Sequence, residues 1–268
     1  MQHASDSWPV AALTLLICAT IVGGVLSAQH WRLPSIRRIA GLNAIDEAVG
    51  RATEMGRPVL MVPGLIGFDV VTLQALAIFS EIARSVARLG NKIILPTIDP
   101  VVQGVAEETM RDAFAEAGRP DLLEEGDVRY LTTQQFAFAS GVAGILVREK
   151  VAASFLFGAF YAESLIFAEV GHQVGAVQVA GTTETHQIPF FIAACDYVII
   201  GDEFYAAAAY ISKNPTLLGS IIGQDYCKVI LLAIVVLGCL AQTLLQHWHA
   251  GLVAHLLQHA VGLFRAGH

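Results

Sequence analysis

Three apolar runs between Val151 and Tyr210 constrain the fold of this 268-residue chain more than any other feature. Ala153 to Phe157, Ala176 to Ala180 and Tyr197 to Ile200 are rich in Val, Ile and Phe, and each stops at a glycine. A segment with apolar residues three or four apart follows each run, which is helical spacing. Strands that are apolar throughout have both faces covered, and when they alternate with helices they build a parallel sheet. The pattern predicts a doubly wound, mostly parallel α/β sheet of about six strands, Rossmann-like in layout.

Upstream segments supply the other strands, at Val59 to Val62, Lys92 to Thr97 and Val128 to Leu131. Helical spacing predicts covering helices at Asp69 to Leu89, Val101 to Ala117 and Gln134 to Arg148, and an amphipathic helix at Ile39 to Met55. The α/β domain is expected over 57–214. Asp69, Asp99, Thr133 and Asp202 stand at expected helix starts. There Asp and Thr accept from free backbone N–H groups, a cap being worth about 1 kcal/mol.

Composition adds a membrane. Hydrophobic residues make up 55% of the chain and charged residues 15%, more apolar than a soluble domain needs. Pro9 to Ala28 is free of charge and long enough to cross about 30 Å of hydrocarbon. Val229 to Leu245 is a second uncharged stretch. Trp8, Trp31 and Trp248 fall at the expected boundaries, where indole rings favour the headgroup layer. Arg32, Arg37 and Arg38 follow the first span and no Lys or Arg precedes it. The positive-inside rule then predicts a two-pass cell-membrane protein with its α/β domain in the cytoplasm. A cleaved signal peptide would need a basic start, and Met1 to Ser7 has none. The expected layout is an external N-terminus at 1–8, spans at 9–28 and 229–247, a juxtamembrane linker and amphipathic helix at 29–56, a linker at 215–228, and an amphipathic tail at 248–268.

Ligands of open α/β sheets bind outside the carboxyl ends of the strands. The candidate ligand-binding residues there are Gly64, Gly67, Asp99, Thr132, Glu163, Thr182, Thr183 and Asp202. This rim offers hydroxyls and carboxylates, with His186 as its one possible base and no Lys or Arg. A phosphoryl-transfer or NADP site sets cations against its phosphates, so neither is expected, and no cofactor is assigned. Glu163 lies among Phe160, Tyr161, Leu165, Ile166 and Phe167, where a carboxylate needs a partner. His255 and His259, at i, i+4, are weak metal candidates, because the glutamate of an H-E-x-x-H site is missing. The net charge of −7 argues against nucleic acid. The four cysteines form neither a disulfide framework nor a C-x-x-C pair.

Gly41 to Ala48, Arg57-Pro58, Phe157 to Ser164, Gln187 to Phe191, Cys195-Asp196-Tyr197 and Gly223-Gln224-Asp225 resemble those of an uncharacterised bacterial and archaeal family of membrane-tethered α/β proteins, a domain of unknown function. The resemblance covers Ile39 to about Lys228. It implies a shared tethered α/β layout and brings no activity and no catalytic residue.

Three readings stay open. One is a structural scaffold that self-associates through apolar surface around Phe157 to Phe167 and Ile188 to Phe191 into a membrane-bound homo-oligomer. Another is a small-ligand- or metal-binding protein or enzyme using the strand-end rim. The third is an accessory subunit of a larger membrane complex.

Overall fold

The computed structural model describes residues 8–30, 40–201, 203–212 and 215–265. The chain divides into two compact units, one made of 1–33 with 215–268 and the other of 34–214.

The first unit is a helical hairpin of α1 (Trp8–His30) and a 51-residue helix at Pro215–Arg265. Stretches at Ala11–Ala28 and Leu218–Leu240 are long and apolar enough to cross a membrane. Glycines let the two backbones touch. A Cβ placed on Gly24 would lie 2.5 Å from the Gly219 oxygen, and one on Gly223 would lie 2.8 Å from Ile21 Cα and 2.9 Å from the Thr20 oxygen. Gly219 and Gly223 stand one helical turn apart, the small-xxx-small spacing that apolar helices use to approach closely.

This hairpin changes the expected layout. The stretch 215–228, expected as a linker, is the start of the long helix, which continues into the expected tail as far as Arg265. Pro215 opens it, as proline can in a first turn, and no further proline interrupts it.

The second unit begins with α2 (Ala40–Glu54) and continues β1 (Val59–Val62), α3 (Val70–Arg88), β2 (Ile93–Thr97), α4 (Pro100–Glu116), a 3-10 turn at Pro120–Leu122 and β3 (Val128–Tyr130). Then come α5 (Gln135–Arg148), β4 (Ala153–Phe157), α6 (Ser164–Gln173), β5 (Val177–Thr182), α7 (Ile188–Ala194), β6 (Tyr197–Ile200) and α8 (Glu203–Ser212). The six strands are all parallel in the order β3-β2-β1-β4-β5-β6. The fold is therefore the expected doubly wound α/β sheet, with a register running from Val59 opposite Ile93 and Ala153 across to Val179 opposite Tyr197.

Alternation along the strands builds two cores. Val59, Met61, Ile93, Phe155 and Phe157 pack with α2, α3, α4 and α8, while Leu60, Val62, Ile94, Leu156 and Ala180 pack with α5, α6 and α7. α3 is also apolar enough to cross a membrane by length and composition. Its Ala75, Ile78, Phe79, Ile82 and Val86 are instead buried against the sheet.

Helix starts follow the expected chemistry in two places. Asp69 accepts from Thr72 N at 2.7 Å, and Asp99 accepts from Val101 N at 2.7 Å with Pro100 opening α4. At α5 the expected cap, Thr133, gives way to its neighbour: Thr132 Oγ1 accepts from Gln134 N at 3.2 Å. α5 then starts from Gln134 with no side-chain cap.

Candidate functional site

In this strand order β1 and β4 are neighbours whose following helices cover opposite faces, which marks the topological switch point where such sheets open a ligand crevice. Here the two loops touch. Leu65 N donates to the Ala159 oxygen at 2.9 Å. Gly64 and Gly158 both take positive φ. A Cβ on Gly64 would meet Ala159 N and O at 2.8 Å, and one on Gly158 would meet the Pro63 oxygen at 2.5 Å. These glycines bring backbone against backbone, and the loops that would part around a pyrophosphate are stitched together. Gly67 is occupied differently: a Cβ there would lie 2.6 Å from Asp99 Oδ2. The Asp99 carboxylate thus sits over the loop where an anion would have to approach.

The remaining candidates are spread around the rim. Thr182 is buried and its Oγ1 accepts from Glu184 N at 3.1 Å, Thr183 is half-buried, and Thr132 serves the α5 turn. Asp202 lies outside the described residues. His255 and His259 fall in the long C-terminal helix, in the part of it whose side chains lie outside the described ones. Among the described residues no three of His, Cys, Asp and Glu gather closely enough to hold a metal ion.

Glu163 is fully buried. Its Oε1 accepts from Tyr161 N at 2.9 Å, and its Oε2 accepts from Gln135 Nε2 on α5. Beside it Ser164 Oγ donates to the Tyr161 oxygen at 2.7 Å and to Gln187 Oε1 at 3.2 Å. The group thus ties the exits of β3, β4 and β5 to one another. The sequence analysis missed Gln135 and Gln187, and also Gln178, whose Nε2 donates to the Ala168 and Ala194 oxygens at 2.7 and 2.9 Å. Its signal was legible: an amide inside the apolar run Val177 to Ala180 needs partners in the core.

Beside exposed polar residues such as Thr133, Gln134, Thr185 and His186, the rim presents apolar side chains to solvent. Each strand exit carries a large exposed hydrophobic residue: Phe68 after β1, Val101 after β2, Phe136 after β3, Ile166 after β4, Phe190 after β5 and Ile200 at the end of β6. The aromatic rings expected to form this surface are mostly inside it. Phe160 packs edge-on against Phe167 and Phe191 with ring centroids 5.9 and 5.3 Å apart, and all three are buried together with Phe157.

The opposite end of the sheet is charged. A cleft of about 450 Å³ there is lined by Asn91, Lys92, Glu124, Asp127, Arg129 and Glu149, among others. Lys92 Nζ pairs with Glu124 Oε1 at 2.7 Å, which raises the lysine pKa. Burial pushes the Asp127 carboxyl above its ordinary range despite the bond its Oδ2 accepts from Glu124 N at 2.8 Å. Burial also pushes the Cys195 thiol up to about 12, so it is no thiolate nucleophile at neutral pH.

Fold and rim together define a class: an α/β domain with Rossmann-type strand order, its switch-point loops in backbone contact and an exposed hydrophobic residue at each strand exit, in a chain whose terminal helices could cross a membrane. Residues 3–253 match the family described as Domain of unknown function (DUF6754), and the chain belongs to that family. No curated protein and no solved structure matches it.

Proposed function

We propose that this chain is a two-pass membrane scaffold whose cytoplasmic α/β domain self-associates through the apolar rim at the carboxyl ends of its strands. The observation that carries this reading is the rim: six strand exits, each with an exposed large hydrophobic residue, at the end where such sheets otherwise open a polar ligand site. An exposed hydrophobic residue at every exit along one end of the sheet is the kind of surface an interaction site would use.

Two features support a protein rather than another occupant. The closed Gly64 and Gly158 loops and the use of Asp69, Asp99, Thr132 and Thr182 in local turns and caps argue against a small anionic ligand. The strand exits at 63–72, 97–104, 130–140, 157–168, 181–194 and 200–204 contain no Lys or Arg, which argues against an anionic lipid surface. Orientation rests on Arg32, Arg37 and Arg38 after the first span.

Ile166→Asp with Phe190→Asp tests the rim, because both side chains are exposed and a charge there leaves the core intact. Size-exclusion chromatography with light scattering on the detergent-extracted chain is expected to show a smaller assembly for the double variant, with unchanged far-UV circular dichroism. An assembly of unaltered mass would contradict the reading. A foreign polypeptide held by the wild type and released by the variant would make the chain an accessory subunit instead.

A further inference from the structure

The hairpin places two charges at mid-depth. Gly219 lies against Val25 and Ala28, Gly24 against Gly219 and Gly223, and Gly223 against Thr20 and Ile21, so the two helices run antiparallel in a fixed register. Two residues beyond Gly223, Asp225 is level with about Ala19 of α1, and Lys228 with about Leu16. Ala19 is the midpoint of Trp8–His30, about 16 Å from either end at 1.5 Å per residue. From Ser7 to Trp31 α1 and its flanks carry no Asp, Glu, Lys or Arg. Any bilayer position that keeps this stretch in hydrocarbon also holds Asp225 and Lys228 inside.

Asp225 Oδ1 and Lys228 Nζ are 3.8 Å apart on one face of the long helix, with side chains 67% and 65% exposed. They point away from α1, whose seam instead takes Gly219, Gly223 and the buried Cys227. An ion pair at this depth with open surroundings is costly, and charged residues in spans almost always face protein or a water-filled cavity.

We infer that a second copy of this chain covers the Gln224–Asp225–Lys228 face, forming an intramembrane two-fold contact. This rests on the two-pass reading above. Copies of one chain insert the same way, so two of these helices meet parallel and at equal depth. Asp225 and Lys228 are about 4.5 Å apart along the helix axis, within the span of a lysine side chain. Each Lys228 then lies between its own Asp225 and its partner's, closing a ring of two acids and two bases. The face is complementary to itself in charge, which is what an isologous contact requires.

The test is energy transfer between full-length chains labelled at the C-terminus and diluted in phosphatidylcholine vesicles, with insertion checked by protease protection. Asp225→Lys is expected to weaken association roughly tenfold, the size of polar contacts between membrane helices. Combining it with Lys228→Asp restores the opposite charges in exchanged places and is expected to bring association back. If Asp225→Lys does not insert, the neutral pair Asp225→Asn with Lys228→Gln should weaken association in the same sense. Unchanged association in an inserted variant, or an inserted double exchange that stays weak, overturns the inference. Phe190→Asp keeps this face intact, so assembly lost by that variant alone removes the intramembrane contact and leaves the rim reading standing. A wild type that stays monomeric at every dilution removes both.

Discussion

At the scale of single residues, polar groups inside the α/β domain hold the fold together. Glu163 accepts two hydrogen bonds and is fully buried. Asp127, 9% exposed, shows the cost of burial more openly, because desolvation raises its pKa. A carboxyl with a raised folded-state pKa binds its proton more tightly in the native protein than in the unfolded chain. Its destabilising effect is therefore absent below the ordinary carboxylate range, near pH 4, and grows as pH rises through the folded-state value. Asp127→Asn keeps an oxygen for the Glu124 N–H and removes the charge. Thermal melts should show the variant equal to wild type at pH 3 to 4 and more stable by up to about 1 kcal/mol at pH 7. Equal stability at both pH values would show that burial of this charge costs nothing.

At the scale of elements, the glycine seam decides how the hairpin packs. A Cβ at position 223 meets backbone atoms of Thr20 and Ile21, which cannot swing aside as a side chain tip can. Gly223→Leu should part the helices and cost stability. Thermal melts of the detergent-extracted chain should show the variant unfolding at a lower temperature than the wild type, while equal melting would mean that the seam is looser than these contacts imply. The sequence hid this arrangement for a physical reason. Asp225 and Lys228 look like the polar edge of a span beginning at Val229, because hydropathy counts charges without knowing what lies beside them. The register came from glycines that admit a neighbouring backbone, and glycine spacing is a weak signal until the partner helix is placed. Strands were easier to read. β1, β4 and β6 coincide with apolar runs bounded by Gly or Pro, and β5 runs only two residues past its expected end.

At the scale of the whole molecule, the closed switch point and the apolar rim belong together. The rim residues were legible as helix caps and turn formers, but the exposed Phe68, Val101 and Phe136 were not, since exposure at a first turn depends on how neighbouring exits pack. The proposed assembly rests on a sheet of this order whose β1 and β4 exit loops touch, in a chain with two apolar terminal helices. Native mass spectrometry of the chain extracted gently in detergent measures this most directly. The account predicts a mass equal to two or more whole chains with no foreign polypeptide. A single-chain mass, or an added small molecule of a few hundred daltons lost in Glu163→Gln or Asp99→Asn variants, would contradict it.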